Sequence, residues 1–336
     1  MMAAPATARH VVVRRSRVRL TWGTVVTGAF VVTLLRPVSW ALGLAGFLAG
    51  GGILLVAWPI LVLPTPTGLQ NALGGPVSTL VFGGPSAQLL ALIVGGIAGG
   101  LALVLAGTLA GAWAERQGIA VVLEAAVDDG LAIPPTDLAG APGAGRVAVV
   151  RLLSLSPVVI AGAAAWKPIY DATYHELILP RDLATPLPLR VLGEVPWLVL
   201  ALMAVWLLSD AAAAVGVRRL VLERRTVFAS WILGWVDLVR RPHRILPTAL
   251  MGLGVLVLLL GPAMAAAAIG WGRVRDILAG DREPVVVLGA LLIWVSIWLG
   301  GLVLAGVGAA VRAAAWTLEM PMESAADPTS GAPSPG

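Results

Sequence analysis

Charged side chains set inside apolar stretches are where this sequence offers chemistry, and there are few of them. Arg151 lies in the apolar run 147–166 and Asp210 in the run 191–217. An unpaired charge at mid-membrane costs about 2.5 to 3.5 kcal/mol on insertion scales, so such groups find each other or line a polar path. Arg151 sits about one helical turn, and Asp210 about two turns, inside the arginine-rich ends of these consecutive runs. A buried pair is expected if their helix faces agree. The alternative has Arg151 reaching up to headgroups while Asp210 marks an earlier end of its helix.

A second cluster stands in "KPIYDATYHELILPRD", residues 167–182. Asp171 and His175 are four apart, which on a helix brings them together beside Glu176, as a weak metal site or proton-linked switch requires. A solvated loop with a capping turn explains the same residues. Other chemistry is missing from the sequence. No glycine-rich loop ends in Lys-Ser or Lys-Thr, and His10, His175 and His243 are too scattered for paired helical zinc ligands. Asp128, Asp129 and Asp137 in "DDGLAIPPTD" lack the close spacing of metal-dependent transferases. "EAAVDDG", Glu124 to Gly130, resembles the start of the loop by which ABC importer permeases dock on their ATPase. The Ile-x-Leu-Pro of that pattern is absent, because residues 140–143 read Gly-Ala-Pro-Gly. No catalytic role, cofactor or metal is expected from these residues.

The elements that must position the charged residues follow from composition. Of 336 residues, 58% are hydrophobic and 12% charged, far from the averages of soluble domains. The absence of cysteine excludes disulfides, thiol nucleophiles and cysteine-bound zinc or iron–sulfur clusters. Six runs are long and clean enough to span a bilayer: 39–63, 86–113, 147–166, 191–217, 245–270 and 285–311. Trp40, Trp58, Trp113, Trp166, Trp197 and Trp271 mark their ends, where indole rings favour the headgroup layer. The expected fold is an all-α polytopic helix bundle of six spans with interfacial amphipathic helices.

Twenty-two arginines and one lysine, Lys167, face 18 carboxylates, giving a net charge of +5. With the amino terminus cytoplasmic, and Arg151 left out because it lies in a span, the basic residues divide 16 against 6 in favour of the cytoplasmic side. Both termini, and the connections around 114–146 and 218–244, are therefore expected in the cytoplasm of a bacterial inner or plasma membrane. Excess Arg, Ala, Gly and Val points to a GC-rich genome. The run from Leu20 to Leu35 has 16 residues, short for a span, and is expected to lie on the surface. No small-residue cleavage site precedes Arg36, so this run is expected to be retained. The chain divides into a basic tail, 1–19, a membrane domain, 20–316, and a Pro-, Ser- and Gly-rich tail, 317–336, expected to be disordered.

Between Arg225 and Arg241 an apolar stripe of Val227, Phe228, Trp231, Ile232, Trp235, Leu238 and Val239 repeats at helical spacing. Thr226, Ser230, Gly234, Asp237 and Arg241 take the opposite face, which is expected to meet water. An interfacial helix is expected, with Arg225, Trp231, Trp235, Arg240 and Arg241 as contacts to the lipid surface and Pro242 breaking the helix before the next span. A helix covering a bundle end would carry the same stripe. "LTWGTVVTGAFVVTLLRP" aligns with "RTVFASWILGWVDLVRRP", and "QGIAVVLEAAVDD", from Gln117 to Asp129, offers a third surface helix. Starts near 20, 117 and 225 give units of about 100 residues, each a surface helix plus two spans.

The Arg-Pro steps Arg36-Pro37 and Arg241-Pro242 between interfacial helix and span resemble the six-helix membrane domain attached to some bacterial glycerophosphoryl diester phosphodiesterases, and related stand-alone proteins of unknown function. The resemblance covers roughly residues 18–312 and implies an architecture and a link to lipid membranes, but no active-site residue. Gly46 and Gly50, Gly95, Gly96, Gly99 and Gly100, Gly107 and Gly111, then Gly301, Ala305 and Ala309 are spaced for close helix approach, within the bundle or across a dimer face. The expected partners are membrane lipids and a membrane protein or a second copy, with no nucleic acid. The expected role is a non-enzymatic scaffold or lipid-associated accessory; the alternative is a permease or transporter subunit.

Overall fold

A computed structural model of the chain describes residues 21–57, 84, 86–128, 140–179, 187–280 and 283–324. Among these every regular element is helical. The basic tail, nearly all of the outer connection at 64–86, Trp58, Asp129 and residues 325–336 lie outside the described residues.

The helices are α1 (Trp22–Leu35), α2 (Pro37–Phe47), α3 (Ile53–Ala57), α4 (Ala87–Asp128), α5 (Ala144–Ser154), α6 (Ser156–Ile178), α7 (Leu187–Glu194), α8 (Pro196–Leu222), α9 (Val227–Arg240), α10 (Pro242–Ala279) and α11 (Pro284–Ser324). A kink at Leu48–Gly52, where Gly51 has φ +99°, links α2 to α3. Among the described residues six stretches are long and apolar enough to cross a membrane: Pro37–Ala57, Leu89–Asp128, Ala144–Ile178, Pro196–Leu222, Pro242–Ala279 and Pro284–Glu319. The chain is a multi-pass integral membrane protein with an all-α bundle.

Two joints show how sequence sets this architecture. Thr21 and Thr226 cap α1 and α9, their side chains accepting from the backbone N–H of Thr24 and Ala229. A residue before proline is pushed out of the α region, and Arg36 (φ −122°, ψ 84°) and Arg241 (φ −134°, ψ 49°) end the two short helices in that way. Pro37 and Pro242 then begin the spans, where a missing N–H costs nothing. The carbonyl of Thr33, which an N–H at position 37 would have met, accepts instead from Trp40 Nε1 at 2.7 Å. The buried residues of α1 are Val25, Ala29, Val32 and Thr33, and those of α9 are Ser230, Gly234, Asp237 and Leu238. Aligned on the following proline, the two sets occupy the same four positions.

The described chain reads as three units: α1 to α4, α5 to α8, and α9 to α11. Each opens with a short helix, crosses on a helix with proline in its first turn, and returns on a long helix. Each short helix packs on the return helix of the unit before it, α5 on α4 and α9 on α8, and α1 closes the ring on α11. The buried apolar residues of α1, α5 and the far ends of α4, α8 and α11, such as Val25, Ile119, Val150, Val217 and Leu318, form one core at the arginine-rich end.

Four expectations change. The stripe at 117–129 is not a separate surface helix, because α4 runs unbroken from Ala87 to Asp128. Ile119, Val122, Leu123 and Ala126 are buried as expected of a stripe, but no proline interrupts the chain there, and the second unit opens on α5. Residues 167–178 are the last turns of α6, with Pro168 accommodated inside the helix, rather than part of a loop. The fourth span starts at Pro196, since Val195 breaks the chain between α7 and α8. Helix α11 continues through Met320 to Ser324, into the segment expected to be disordered.

Candidate functional site

Five charged residues from four helices converge at the arginine-rich end: Glu115 on α4, Arg151 on α5, Asp210 and Arg218 on α8, and Arg312 on α11. Arg151 donates through Nε and Nη2 to both oxygens of Glu115, at 2.9 and 2.7 Å, in a bidentate fork. Its third arm, Nη1, donates to Asp210 Oδ1 at 3.0 Å. Arg218 Nη1 donates to Glu115 Oε1 at 2.5 Å and to the carbonyl of Ala214, while Nη2 reaches the carbonyl of Ala313 on α11. Arg312 Nη2 pairs with Asp210 Oδ2.

Burial is graded across the group. The side chain of Arg218 is 2% exposed and that of Glu115 10%, whereas Asp210, Arg312 and Arg151 are 19%, 21% and 28% exposed. Three guanidiniums against two carboxylates leave one positive charge in excess. Space for Arg312 comes from α10: a Cβ on Gly252 would lie 2.6 Å from Arg312 Cγ, so any larger residue there displaces the arginine stem. The group contains no nucleophile, and guanidinium stays protonated at physiological pH, so its chemistry is charge pairing. Because every return helix contributes, the hub ties the three units together.

Smaller polar joints surround it. Arg219 donates through Nε to Asp237 Oδ2 at 2.8 Å and also pairs with Glu223, fixing α9 to α8. Thr248 donates to Glu319 Oε2 at 2.5 Å and accepts from Trp22 Nε1 at 3.3 Å, joining α10, α11 and α1. Toward the opposite end, Trp294 and Trp298 donate to the carbonyls of Ala267 and Val56, and Trp271 stacks obliquely on Trp294 with ring centres 4.9 Å apart.

The structure brings Arg151 and Asp210 together. It does not gather Asp171, His175 and Glu176 into one site. Asp171 accepts from Lys167 Nζ at 2.6 Å, while Glu176, 2% exposed, accepts from Arg190 Nη1 of α7 at 2.9 Å. Among the described residues no group of three His, Asp or Glu is placed to hold a metal ion. Of the surface candidates, Arg225 is exposed and bonded to Glu223, Arg240 is exposed, and Trp231, Trp235 and Arg241 are half-buried. The orientation of α9 reverses expectation. Its small and polar face, with Ser230, Gly234 and Asp237, is buried against α8, and Phe228, Ile232 and Val239 point outward. A Cβ on Gly234 would come within 2.3 Å of the carbonyl oxygen of Ala212, so the two backbones touch. In a bilayer the outer apolar face meets lipid, and the small face is the one that permits close helix packing.

Glu115, Arg218 and Arg312 were missing from the sequence candidates, though a signal was there. Each follows within two residues the end of the second, fourth or sixth apolar run, at 113, 217 and 311. Charges in the same place at the same ends of three alternate spans are at one depth, and opposite signs at one depth pair. Comparison with family models, with curated proteins and with solved structures finds no match to this chain.

Proposed function

We propose that the chain is a non-enzymatic integral membrane scaffold, an accessory to a lipid-associated or membrane-protein partner. One observation carries this reading: among the described residues the charges inside the span ends gather in ion pairs that fasten one unit to another at one end of the bundle, with none aligned as a path across the bilayer. The likeness of its Arg-Pro joints to phosphodiesterase membrane domains points the same way. Cross-linking in native membranes followed by purification tests the role. A lipid-acting enzyme or another membrane protein is expected in the cross-linked product; an ATPase subunit would instead make the chain the permease of a transporter.

The scaffold sits in this reading in a bacterial inner or plasma membrane with its arginine-rich end in the cytoplasm. Cysteines placed at Ser86 and Asp281 should then react with an impermeant thiol reagent in intact cells, while one at Ser330 should not. Labelling at Ser330 in sealed cells would reverse the orientation.

A further inference from the structure

We propose that Arg312 and the edge of the ion-pair hub beside it hold the phosphate of an anionic phospholipid that enters sideways from the bilayer. The hub carries three guanidiniums and two carboxylates, and the surplus charge is not spread evenly over them. Arg218 is buried and occupied by Glu115 and two carbonyls, and Arg151 spends all three of its nitrogens on Glu115 and Asp210. Among the described residues the partner found for Arg312 is Asp210, whose Oδ2 lies closest to Nη2. Nε and Nη1 of Arg312, on a side chain 21% exposed, remain for an acceptor from outside the chain.

The surroundings fit a lipid. Below Asp210 its face of α8 is covered, with Ala214, Val217 and Val221 in the core. Above it the same face carries Met203, 60% exposed, and Trp206, 38% exposed. An acyl chain would lie on that apolar face, with its headgroup at the hub. Depth agrees as well. Arg312 is the first residue after the apolar run 285–311, so it stands at the end of the sixth span, in the headgroup layer. A net positive site at that level complements an anionic headgroup, whereas a zwitterionic one brings its own cation. The site stands apart from the scaffold reading, since a chain without a protein partner would hold the lipid equally well.

The test is native mass spectrometry of the full chain taken from vesicles of equal phosphatidylglycerol and phosphatidylcholine. Wild-type protein should retain phosphatidylglycerol in preference. Arg312→Gln should lower that retention about fivefold, the factor one basic residue near an anionic surface contributes, and leave phosphatidylcholine unchanged. Asp210→Asn raises the surplus charge and should increase retention of phosphatidylglycerol. If Arg312→Gln does not fold, the wild-type preference and the Asp210→Asn gain decide between them. Equal retention of the two lipids, an Arg312→Gln protein that keeps phosphatidylglycerol, loss with Asp210→Asn, or release of the lipid by excess inorganic phosphate would each overturn the proposal.

Discussion

The two ends of this bundle are built on different principles. At the arginine-rich end short helices wrap the extended return helices, and a core of Val25, Ile119, Val147, Leu220 and Val311 is buried as in a soluble domain. Toward the other end the helix faces are largely uncovered, and none of the most apolar stretch of α4 is buried. Leu101, Leu103, Val159, Ile160 and Leu258 all project outward. Lipid tails are as apolar as these side chains, so nothing drives them together there, and tryptophan hydrogen bonds and small residues do the joining. Near the aqueous boundary the hydrophobic effect returns and buried ion pairs add direction. Fold specificity should therefore reside mostly in the arginine-rich end.

Removing Glu115 should disturb the arginine-rich end most severely. Glu115→Ala leaves Arg218 buried without a carboxylate and frees two arms of Arg151. Breaking a buried pair by removing one partner costs about 3 to 5 kcal/mol. The folded fraction in detergent, followed by size-exclusion profile and thermal unfolding, should fall sharply. A Glu115→Ala protein as stable as wild type would mean that the hub is ornamental.

Close backbone contact comes next. Gly234→Val forces Cβ and two methyls into the Ala212 carbonyl, so α9 must lift from α8 and carry Asp237 away from Arg219. Overpacking of this kind costs about 1 to 3 kcal/mol. Unfolding temperature should drop, and Asp237→Asn added to Gly234→Val should cost less than it does alone, because the pair is already parted. Additive losses would show α9 held elsewhere.

What the sequence made legible divides along the same line. The six spans, the Arg-Pro joints and the Arg151–Asp210 contact could be read because length, proline and isolated charge act locally. The inward face of α9 could not. Its stripe of Phe228, Trp231 and Ile232 says only that one face is apolar; whether that face meets core or lipid depends on what surrounds the helix, and lipid reverses the rule that holds in water. The break expected at Gln117 failed for a related reason. Ile119 to Ala126 pack into the shared core, so burial carries α4 past the boundary at which its apolar run ends. Glu115, Arg218 and Arg312 look like ordinary span-end charges until three helices are laid side by side.

Arg151 gives a smaller and less obvious effect. Although it makes three hydrogen bonds, Arg151→Met leaves Glu115 with Arg218 and Asp210 with Arg312, two pairs of balanced charge. The loss should be about 1 kcal/mol, near the net value of ordinary hydrogen bonds. Exchanging the charges, Arg151→Asp with Asp210→Arg, should fare worse than Arg151→Met, since it sets a new carboxylate against Glu115. Thermal unfolding of the three proteins should rank them wild type, then Arg151→Met, then the exchange. A stable exchanged protein would show that Arg151 and Asp210 are an isolated pair and that Glu115 has no share in it.

The smallest expected effect lies at the less covered end. Among the described residues nothing comes within 4 Å of a Cβ built on Gly99, and its neighbours Gly95, Gly96 and Gly100 are equally open. Gly99→Leu therefore meets no backbone and adds apolar surface where lipid already lies, and leucine is the better helix former. Stability should stay within about 0.5 kcal/mol of wild type, the range of substitutions that touch nothing. The same change made against Gly234 should destroy α9 packing, which is the contrast between the two ends reduced to one side chain. Analytical ultracentrifugation beside the unfolding measurement sharpens the result. A Gly99→Leu protein that loses stability together with a change in mass would place a second copy of the chain against this glycine stripe. The openness of that end would then belong to the single chain alone.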